Sequence, residues 1–182
     1  PIGTDESKGP VRRSWSEGTD ENGIVVKTGV TETWLNLFEK PTLVVRFDRD
    51  GKKVSQTQTR YDGLGRTVEE IVGLEPPFRE TTFSYDAFGR AVRTTLPDNA
   101  IVHRTFARHS SEDLPVSISV EDAGKTLPLG EQVFDGLDRI RKTVTGGRQR
   151  VLKYEPGMLQ PQSVTTASGK TVGYTYEPRL GS

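Results

Sequence analysis

Apolar and polar residues alternate one by one over many short segments of this chain. Val116, Ile118 and Val120 are separated by Ser117 and Ser119, and the same pattern recurs along the sequence. Successive side chains of a β-strand point to opposite faces of a sheet, so each segment would have one apolar and one polar face. The alternation therefore predicts an all-β chain built from half-buried strands.

Turn-forming residues separate these segments at intervals of about eight to twelve residues. Asn22-Gly23 and Gly146-Gly147 are examples, since both pairs tolerate positive φ angles. Short strands joined by tight turns make antiparallel hairpins. The predicted strands, about thirteen in number, are 23–28, 42–47, 53–61, 66–72, 78–85, 91–96, 101–106, 115–120, 129–134, 140–145, 149–154, 162–166 and 171–176.

The best candidate for a helix is Thr31–Lys40, in which Trp34, Leu37 and Phe38 have helical spacing. Pro41 limits this helix to two turns at most, because proline cannot continue a helix. We expect no helix elsewhere.

The domain organisation predicted from the sequence is simple. Residues 1–20 are polar, and we expect a flexible N-terminal segment there. No linker rich in proline and serine divides the remainder, so residues 21–182 are predicted to form one continuous β-strip.

Composition excludes several classes of function. Hydrophobic residues make up 32% of the 182 residues, which predicts a thin core. The 25 basic and 25 acidic residues balance, which argues against nucleic acid or a membrane surface as a partner recognised by net charge. The absence of cysteine excludes disulfides, thiol catalysis and thiolate metal sites. No apolar stretch approaches the ~18 residues of a membrane span.

Three of the turns share one sequence pattern, namely an aromatic residue, Asp, two spacers, Gly and Arg. The copies are Tyr61–Arg66, Tyr85–Arg90 and Phe134–Arg139, the last with Asp138 in place of the glycine. Weaker copies are Leu35–Lys40, Phe47–Lys52, Tyr154-Glu155 and Tyr176-Glu177. Self-similarity with a period near twenty residues indicates a repeat architecture, in which one unit cannot bury its own apolar face.

Each position of the pattern has a predicted structural role. The aromatic residue ends a strand on its buried face, and the aspartate closes the turn by accepting hydrogen bonds from N–H groups two or three residues on. The glycine, or Asp138, adopts positive φ, and the arginine opens the next strand with its charged head in solvent. The predicted structural positions are Tyr61, Asp62, Gly65, Arg66, Tyr85, Asp86, Gly89, Arg90, Phe134, Asp135, Asp138 and Arg139.

These motifs resemble the YD repeats of Rhs proteins. With Leu96-Pro97-Asp98 and Thr171–Tyr176, the chain is similar to the Rhs-repeat region of insecticidal toxin-complex (Tc) B and C subunits over residues 20–181. The resemblance implies a strip of antiparallel hairpins that winds into a hollow shell around a C-terminal toxin. Polymorphic-toxin Rhs proteins share this arrangement, as do teneurins more distantly.

The resemblance also implies the biological setting. The expected partners are the remainder of the parent chain, the enclosed toxin and other toxin-complex subunits, in a secreted complex. We expect no cofactor and no enzymatic activity. The aspartate-rich self-cleavage segment of family members is not matched by Glu177–Gly181, and Pro1–Glu6 lacks the order of a signal peptide.

Other chemistry fits the sequence less well. His103 and His109 are poorly spaced for a metal site with Glu112 or Asp113, and Asp48–Gly51 lacks the further ligands of a calcium loop. Two carboxylate pairs, Glu69-Glu70 and Glu112-Asp113, could suggest a glycosidase. Adjacent residues on a strand point to opposite faces, so neither pair can flank one sugar bond. Arg148 and Arg150 could contact phosphate, but a solvated surface is the expected role of this pair.

One alternative function is left open. The repeat tyrosines would bind glycans by stacking if they were exposed together on one face, as in an extracellular adhesin-like module that recognises carbohydrate or protein on a cell surface. Because they alternate with other apolar residues, a packing role is the stronger expectation.

Overall fold

The computed structural model describes residues 10–176, and these contain sixteen β-strands and no helix. The strands are β1 Val11–Ser14, β2 Glu17–Thr19, β3 Val25–Lys27, β4 Thr31–Leu35, β5 Pro41–Phe47, β6 Lys53–Tyr61, β7 Thr67–Val72, β8 Arg79–Tyr85, β9 Ala91–Thr95, β10 Ile101–Phe106, β11 Pro115–Asp122, β12 Lys125–Phe134, β13 Ile140–Thr145, β14 Arg148–Lys153, β15 Ser163–Thr165 and β16 Thr171–Gly173. Over this part of the chain there is accordingly no helix long and apolar enough to cross a membrane.

The chain divides into two compact units between Phe83 and Ser84. In the first unit the strand order is β1-β4-β5-β6-β7-β8, and β2 and β3 form a separate hairpin. In the second unit β9 to β16 follow one another in sequence order. The strand pairings are antiparallel, so the fold is the all-β strip of hairpins that the alternation predicted.

Two aromatic residues of the repeat lie at irregularities in the strand pairing. The register shifts between Arg60 and Tyr61 in β6, and again between Val133 and Phe134 in β12. Such β-bulges bend a strand and increase its twist. The turns that follow Tyr61 and Phe134 therefore begin at a bulge that ends the regular ladder.

The hydrophobic core is thin, as the composition predicted. Only a few apolar side chains are buried, and no large side chain is completely removed from solvent among the described residues. The buried apolar residues are Leu35, Val45, Ala100, Ala107 and Val164. Hydrogen bonding in strands and turns must therefore supply much of the structural definition.

The predicted helix at Thr31–Lys40 is wrong. Residues Thr31–Leu35 form β4, which pairs with both β1 and β5. The chain then turns, with the Asn36 side-chain oxygen accepting hydrogen bonds from the Phe38 and Lys40 N–H groups at 2.9 and 3.0 Å. Pairing on both sides of the strand outweighs a local spacing that covered only two helical turns.

The alternation pattern missed the first strands of the chain. Val11–Ser14 pairs with β4, and Glu17–Thr19 pairs with β3. Both strands are exposed along their whole length, so they lack the two-residue alternation that reveals a half-buried strand. Flexibility of residues 1–20 in solution stays a prediction, and residues 1–9 lie outside the described part.

Every predicted strand overlaps an observed one, although β12 begins at Lys125 rather than at residue 129. A two-residue hairpin turn connects β11 to β12, with φ angles of 46° at Ala123 and 73° at Gly124. Positive φ at both central residues matches the right-handed twist of the flanking strands.

Candidate functional site

The repeated turn is the most regular arrangement of polar side chains in the molecule. In the copy at Asp62, the Oδ1 atom accepts hydrogen bonds from the Leu64 and Arg66 N–H groups, each at 2.9 Å. Its Oδ2 atom accepts a hydrogen bond from Arg66 Nε at 2.7 Å. Two backbone bonds, from Asp62 N to Arg66 O and from Gly65 N to Asp62 O, complete the turn at 2.9 Å each. One carboxylate thus holds both ends of the turn.

The same contacts recur in the other two copies. Arg90 Nε donates to Asp86 Oδ2 at 2.8 Å, and Arg139 Nε donates to Asp135 Oδ2 at 2.9 Å. In each copy Oδ1 also accepts bonds from N–H groups two and four residues on, rather than two or three as the sequence suggested. The spacing between Asp and Arg is therefore set by the turn itself.

Hydrogen bonds lower the pKa of the turn aspartates. The Arg139 side chain and the N–H groups of the turn hold the pKa of Asp135 at about 2. For Asp62 the main cause of the lowered pKa is the backbone N–H of Arg66. For Asp86, burial works in the opposite direction, but the hydrogen bonds from Arg90 and Phe88 together still lower the pKa. All three carboxylates are charged hydrogen-bond acceptors at neutral pH.

The fifth position of the motif has positive φ in every copy. The angles are 74° at Gly65, 83° at Gly89 and 60° at Asp138. This is the left-handed region, where only glycine avoids the clash of Cβ with the backbone, and where Asp is tolerated better than most residues.

The arginines differ from the sequence prediction, which placed their charged heads in solvent. The side chains of Arg90 and Arg139 are only 11% and 14% exposed. Arg90 Nη1 donates to the backbone oxygens of Ser110 and Glu112 at 3.0 and 3.1 Å, because the next loop along this edge folds over it. A planar guanidinium has five N–H donors, so it can satisfy its own turn and a neighbouring loop together.

The same arginines lie against aromatic rings of the following repeat. The Arg90 guanidinium lies 4.6 Å from the centroid of the Phe106 ring, and that of Arg139 lies 4.6 Å from the Tyr154 ring. Arg139 Nη1 also donates to Met158 O at 2.5 Å. A cation over an aromatic face is attracted by the ring quadrupole.

A lysine makes the equivalent contact in a weaker copy. Lys40 Nζ lies 5.5 Å from the Tyr61 ring centroid and donates to Gly65 O at 2.5 Å. The Tyr61 hydroxyl also donates a hydrogen bond to Pro41 O at 2.8 Å, so the ring and the lysine segment are held together at two points. The Tyr154 hydroxyl likewise donates to the carbonyl oxygen of Ile140, the residue that follows Arg139. We call this contact the cation–aromatic staple. It joins the cation of one turn to the aromatic residue that begins the next turn at the same edge of the sheet.

The staple joins turns at one edge of the sheet. In a run of consecutive antiparallel strands, alternate turns lie at the same edge. The turn at 36–40 and the turn at 62–66 are separated by β5 and β6, so Lys40 and Tyr61 meet at one edge. The sequence held the signal for this contact, since an Arg or Lys precedes the next aromatic residue by about one repeat period.

A turn was predicted from sequence at Ser168-Gly169, but it was not recognised as having the geometry of the repeat. Thr166–Lys170 has the same backbone bonds, from Thr166 N to Lys170 O at 2.8 Å and from Gly169 N to Thr166 O at 2.9 Å. Gly169 has φ 79°. The Gly-Lys pair was the remaining signal, but no aromatic residue and no aspartate precede it.

The two histidines do not come together. His103 Nε2 lies 2.9 Å from Glu121 Oε2 across neighbouring strands, and His109 Nε2 lies 2.8 Å from Asp138 Oδ1. Within residues 10–176, no group of three or more His, Asp or Glu side chains is arranged to hold a metal ion.

The other candidate residues have structural surroundings. Glu69 forms an ion pair with Arg60 at 3.0 Å, and the Asp48 carboxylate is held by the N–H groups of Asp50 and Lys52 in a turn like those of the repeat. Arg148 and Arg150 are exposed on β14. The structure brings none of these residues into a shared site.

Comparison with known proteins gives a structural match and no sequence match. No known family profile matches the sequence, and no curated protein matches it. The crystal structure of TcdB2-TccC3 matches 93% of this chain with a TM-score of 0.56 and 14% identity. The complex TcdB2-TccC3-Cdc42 matches 93% at a TM-score of 0.55, and the Photorhabdus luminescens Tc holotoxin pore matches 92% at 0.54, both with 13% identity.

These matches concern a small part of much larger proteins. The chain spans 10% of each matched chain. Identity of 13–14% relates the folds rather than the activities. The resemblance that the repeated turns indicated is therefore confirmed as a shared fold: the chain is a strip of antiparallel hairpins of the kind found in the Rhs-repeat-containing Tc toxin complexes.

Proposed function

We propose that this chain is a non-enzymatic structural segment of an Rhs-type β-shell, which encapsulates a C-terminal toxic effector and helps to deliver it in a secreted toxin complex. The observation that carries the proposal is the match of 93% of the chain to TcdB2-TccC3. Because the chain spans 10% of the matched chain, residues 21–182 are proposed to be a fragment of a larger protein.

The partners follow from this proposal. They are the remainder of the parent chain, the enclosed toxin and other subunits of the toxin complex. No nucleic acid, cofactor or membrane span enters the proposal.

The chemistry of the repeated turn supports a structural role. The carboxylates of Asp62, Asp86 and Asp135 each accept bonds from two N–H groups and one arginine of their own turn. A carboxylate with its lone pairs engaged in this way holds the backbone, and it is a poor general base because its pKa is low.

Limited proteolysis of the full parent protein tests the shell. We expect its C-terminal effector region to resist protease, and the double variant Arg90→Gln with Arg139→Gln to expose that region. The control is Arg93→Gln, since Arg93 is an exposed residue of β9. Cleavage of the effector region in the unaltered protein as fast as in the separately expressed region would contradict the proposal.

A second candidate is an extracellular adhesin-like β-repeat module that binds carbohydrate or protein on a cell surface. It is favoured by one observation: the rings of Tyr174 and Tyr176 stack with centroids 6.3 Å apart, and Tyr174 is 44% exposed. Exposed aromatic faces bind sugar rings.

A glycan array separates the two candidates. The adhesin function requires the isolated chain to bind glycans, and Tyr174→Ala to abolish that binding. The shell function requires no glycan binding, because the tyrosines would then serve packing.

A further inference from the structure

A cleft of about 500 Å³ lies in the first unit, beside the β2–β3 hairpin. Its walls include Trp15 and Lys27 from the hairpin region, Val30 before β4, and Phe47 and Arg49 from the end of β5 and its turn. The volume is in the range of ~300–1,000 Å³ found for sites of small ligands. Only the weaker copy of the repeated turn, Phe47–Lys52, contributes to its wall, and the three full copies lie elsewhere.

Backbone contacts fix the shape of the cleft. Thr28 N donates to Ser16 O, and Ser16 N donates to Thr28 Oγ1, both at 2.8 Å. Phe47 N donates to Val30 O at 2.8 Å. A Cβ atom at Gly29 would collide with the carbonyl oxygen of Phe47, so the chain passes here as closely as its backbone allows. The hairpin is therefore tied to the sheet, and the cleft exists before a ligand binds.

The lining of the cleft combines apolar side chains with charged residues of both signs, among them the carboxylates of Glu32 and Asp48. Trp15, Val30 and Phe47 supply the apolar surface, and Trp15 remains 51% exposed. Lys27 Nζ lies 5.8 Å from the centroid of the Trp15 ring. An exposed tryptophan in a cleft is apolar area that a ligand can remove from water.

Of the three cations that line the cleft, only one lacks a partner among the described residues. Arg13 pairs with Glu32 at 2.7 Å. Lys27 pairs with a second carboxylate, that of Glu17, at 3.0 Å. Arg49 is exposed and makes no side-chain hydrogen bond or ion pair within residues 10–176. A guanidinium in this position can form a bidentate pair with the carboxylate of a ligand.

We propose that this cleft binds an amphipathic carboxylate, with an aromatic or aliphatic body against Trp15 and a carboxylate against Arg49. The same chemistry is present in a free aryl-alkanoic acid and in the C-terminal aromatic residue of a peptide. The proposal goes beyond the shell function, which needs no small ligand.

Nuclear magnetic resonance of the 182-residue chain tests the proposal through its indole N–H signals. The chain has two tryptophans, so Trp15 and Trp34 give two such signals, which Trp15→Phe assigns. Addition of 3-phenylpropionate is expected to shift the Trp15 signal in a saturable manner, while 3-phenylpropionamide, which lacks the charge, binds about tenfold more weakly. Acetyl-glycyl-phenylalanine with a free carboxylate forms the peptide arm, and the tighter of the two acids identifies the source.

A matched pair of variants assigns the carboxylate contact. Arg49→Gln is expected to weaken binding of the acid about tenfold. Arg12→Gln, on an exposed residue that does not line the cleft, leaves binding unchanged. Equal binding of acid and amide, no effect of Arg49→Gln in a protein that keeps its dispersed spectrum, or no saturable shift would each overturn the proposal.

Discussion

At the scale of single residues, the charge of Asp135 makes the stability of its turn dependent on pH. Hydrogen bonds from Arg139 and from the turn hold the pKa of Asp135 at about 2 in the folded chain. An unfolded aspartate has a pKa near ~3.9, so the stabilisation is complete above that pH and is lost as the pH falls toward 2. We expect the urea midpoint to fall over this range, and to fall less in Asp135→Asn. A variant with the same pH dependence as the unaltered chain would contradict this.

Glycines two residues apart should respond differently to the same substitution. Gly65 has φ 74°, and a Cβ atom there would lie 3.0 Å from Lys40 Nζ, so Gly65→Ala is expected to destabilise by about 1 kcal/mol or more. Gly63 has no atom near its missing Cβ and no positive φ, so Gly63→Ala is the matched control, with an expected change within ~0.5 kcal/mol. Equal effects in denaturant unfolding would exclude left-handed strain as the cause.

Asp138 combines backbone strain with a side-chain contact that the sequence did not reveal. Its carboxylate pairs with His109 at 2.8 Å and accepts a bond from Ser110 at 3.3 Å. From the sequence alone, Asp138→Gly is expected to be neutral or mildly stabilising. The substitution also removes the exposed pair with His109, which is worth ~0–1 kcal/mol, so the expected net change in the free energy of unfolding is near zero. Asp138→Ala loses the pair and keeps the strain, so it should be about 1 kcal/mol less stable than Asp138→Gly in urea unfolding. Equal stability of the two variants would contradict this.

At the scale of strands and turns, the Arg90 side chain connects its own turn to the next loop along the same edge of the sheet. Arg90→Lys keeps the charge but cannot reach Asp86 and the Ser110 and Glu112 carbonyls together, so a loss of about 1–3 kcal/mol is expected in denaturant unfolding. Arg93→Lys, at an exposed position, should have little effect. If both substitutions were silent, the hydrogen bonds that Arg90 makes to its own turn and to the next loop would contribute nothing measurable to stability.

The sequence predicted strands and turns because their signals are local. Two-residue alternation marks a strand with one buried face, and the spacing of Asp, Gly and Arg marks a turn that closes on itself. The sequence pattern gave a wrong helix at Thr31–Lys40, because pairing with β1 and β5 makes Thr31–Leu35 a strand. It also misplaced the head of Arg90, because the loop that covers it lies twenty residues further along the chain. Contacts between repeats cannot be read from a single motif.

At the scale of the whole molecule, the end strands, each paired on one side only, should promote self-association. β1 is the outermost strand of the first unit, and β16 is the last described strand of the second. Open edges pair with other chains, although strands of four and three residues offer short templates. We expect sedimentation to show concentration-dependent oligomers of the isolated chain. A strictly monomeric species at high concentration would contradict this expectation.

The cation–aromatic staple restricts how such a chain can change length by duplication or deletion. The staple needs Lys40 and Tyr61, or Arg139 and Tyr154, at the same edge of the sheet. Loss or gain of a single strand would move every later turn to the opposite edge and separate each cation from its ring. Gene segments that encode two strands with one repeated turn preserve both partners, so related chains should differ in length by whole hairpins.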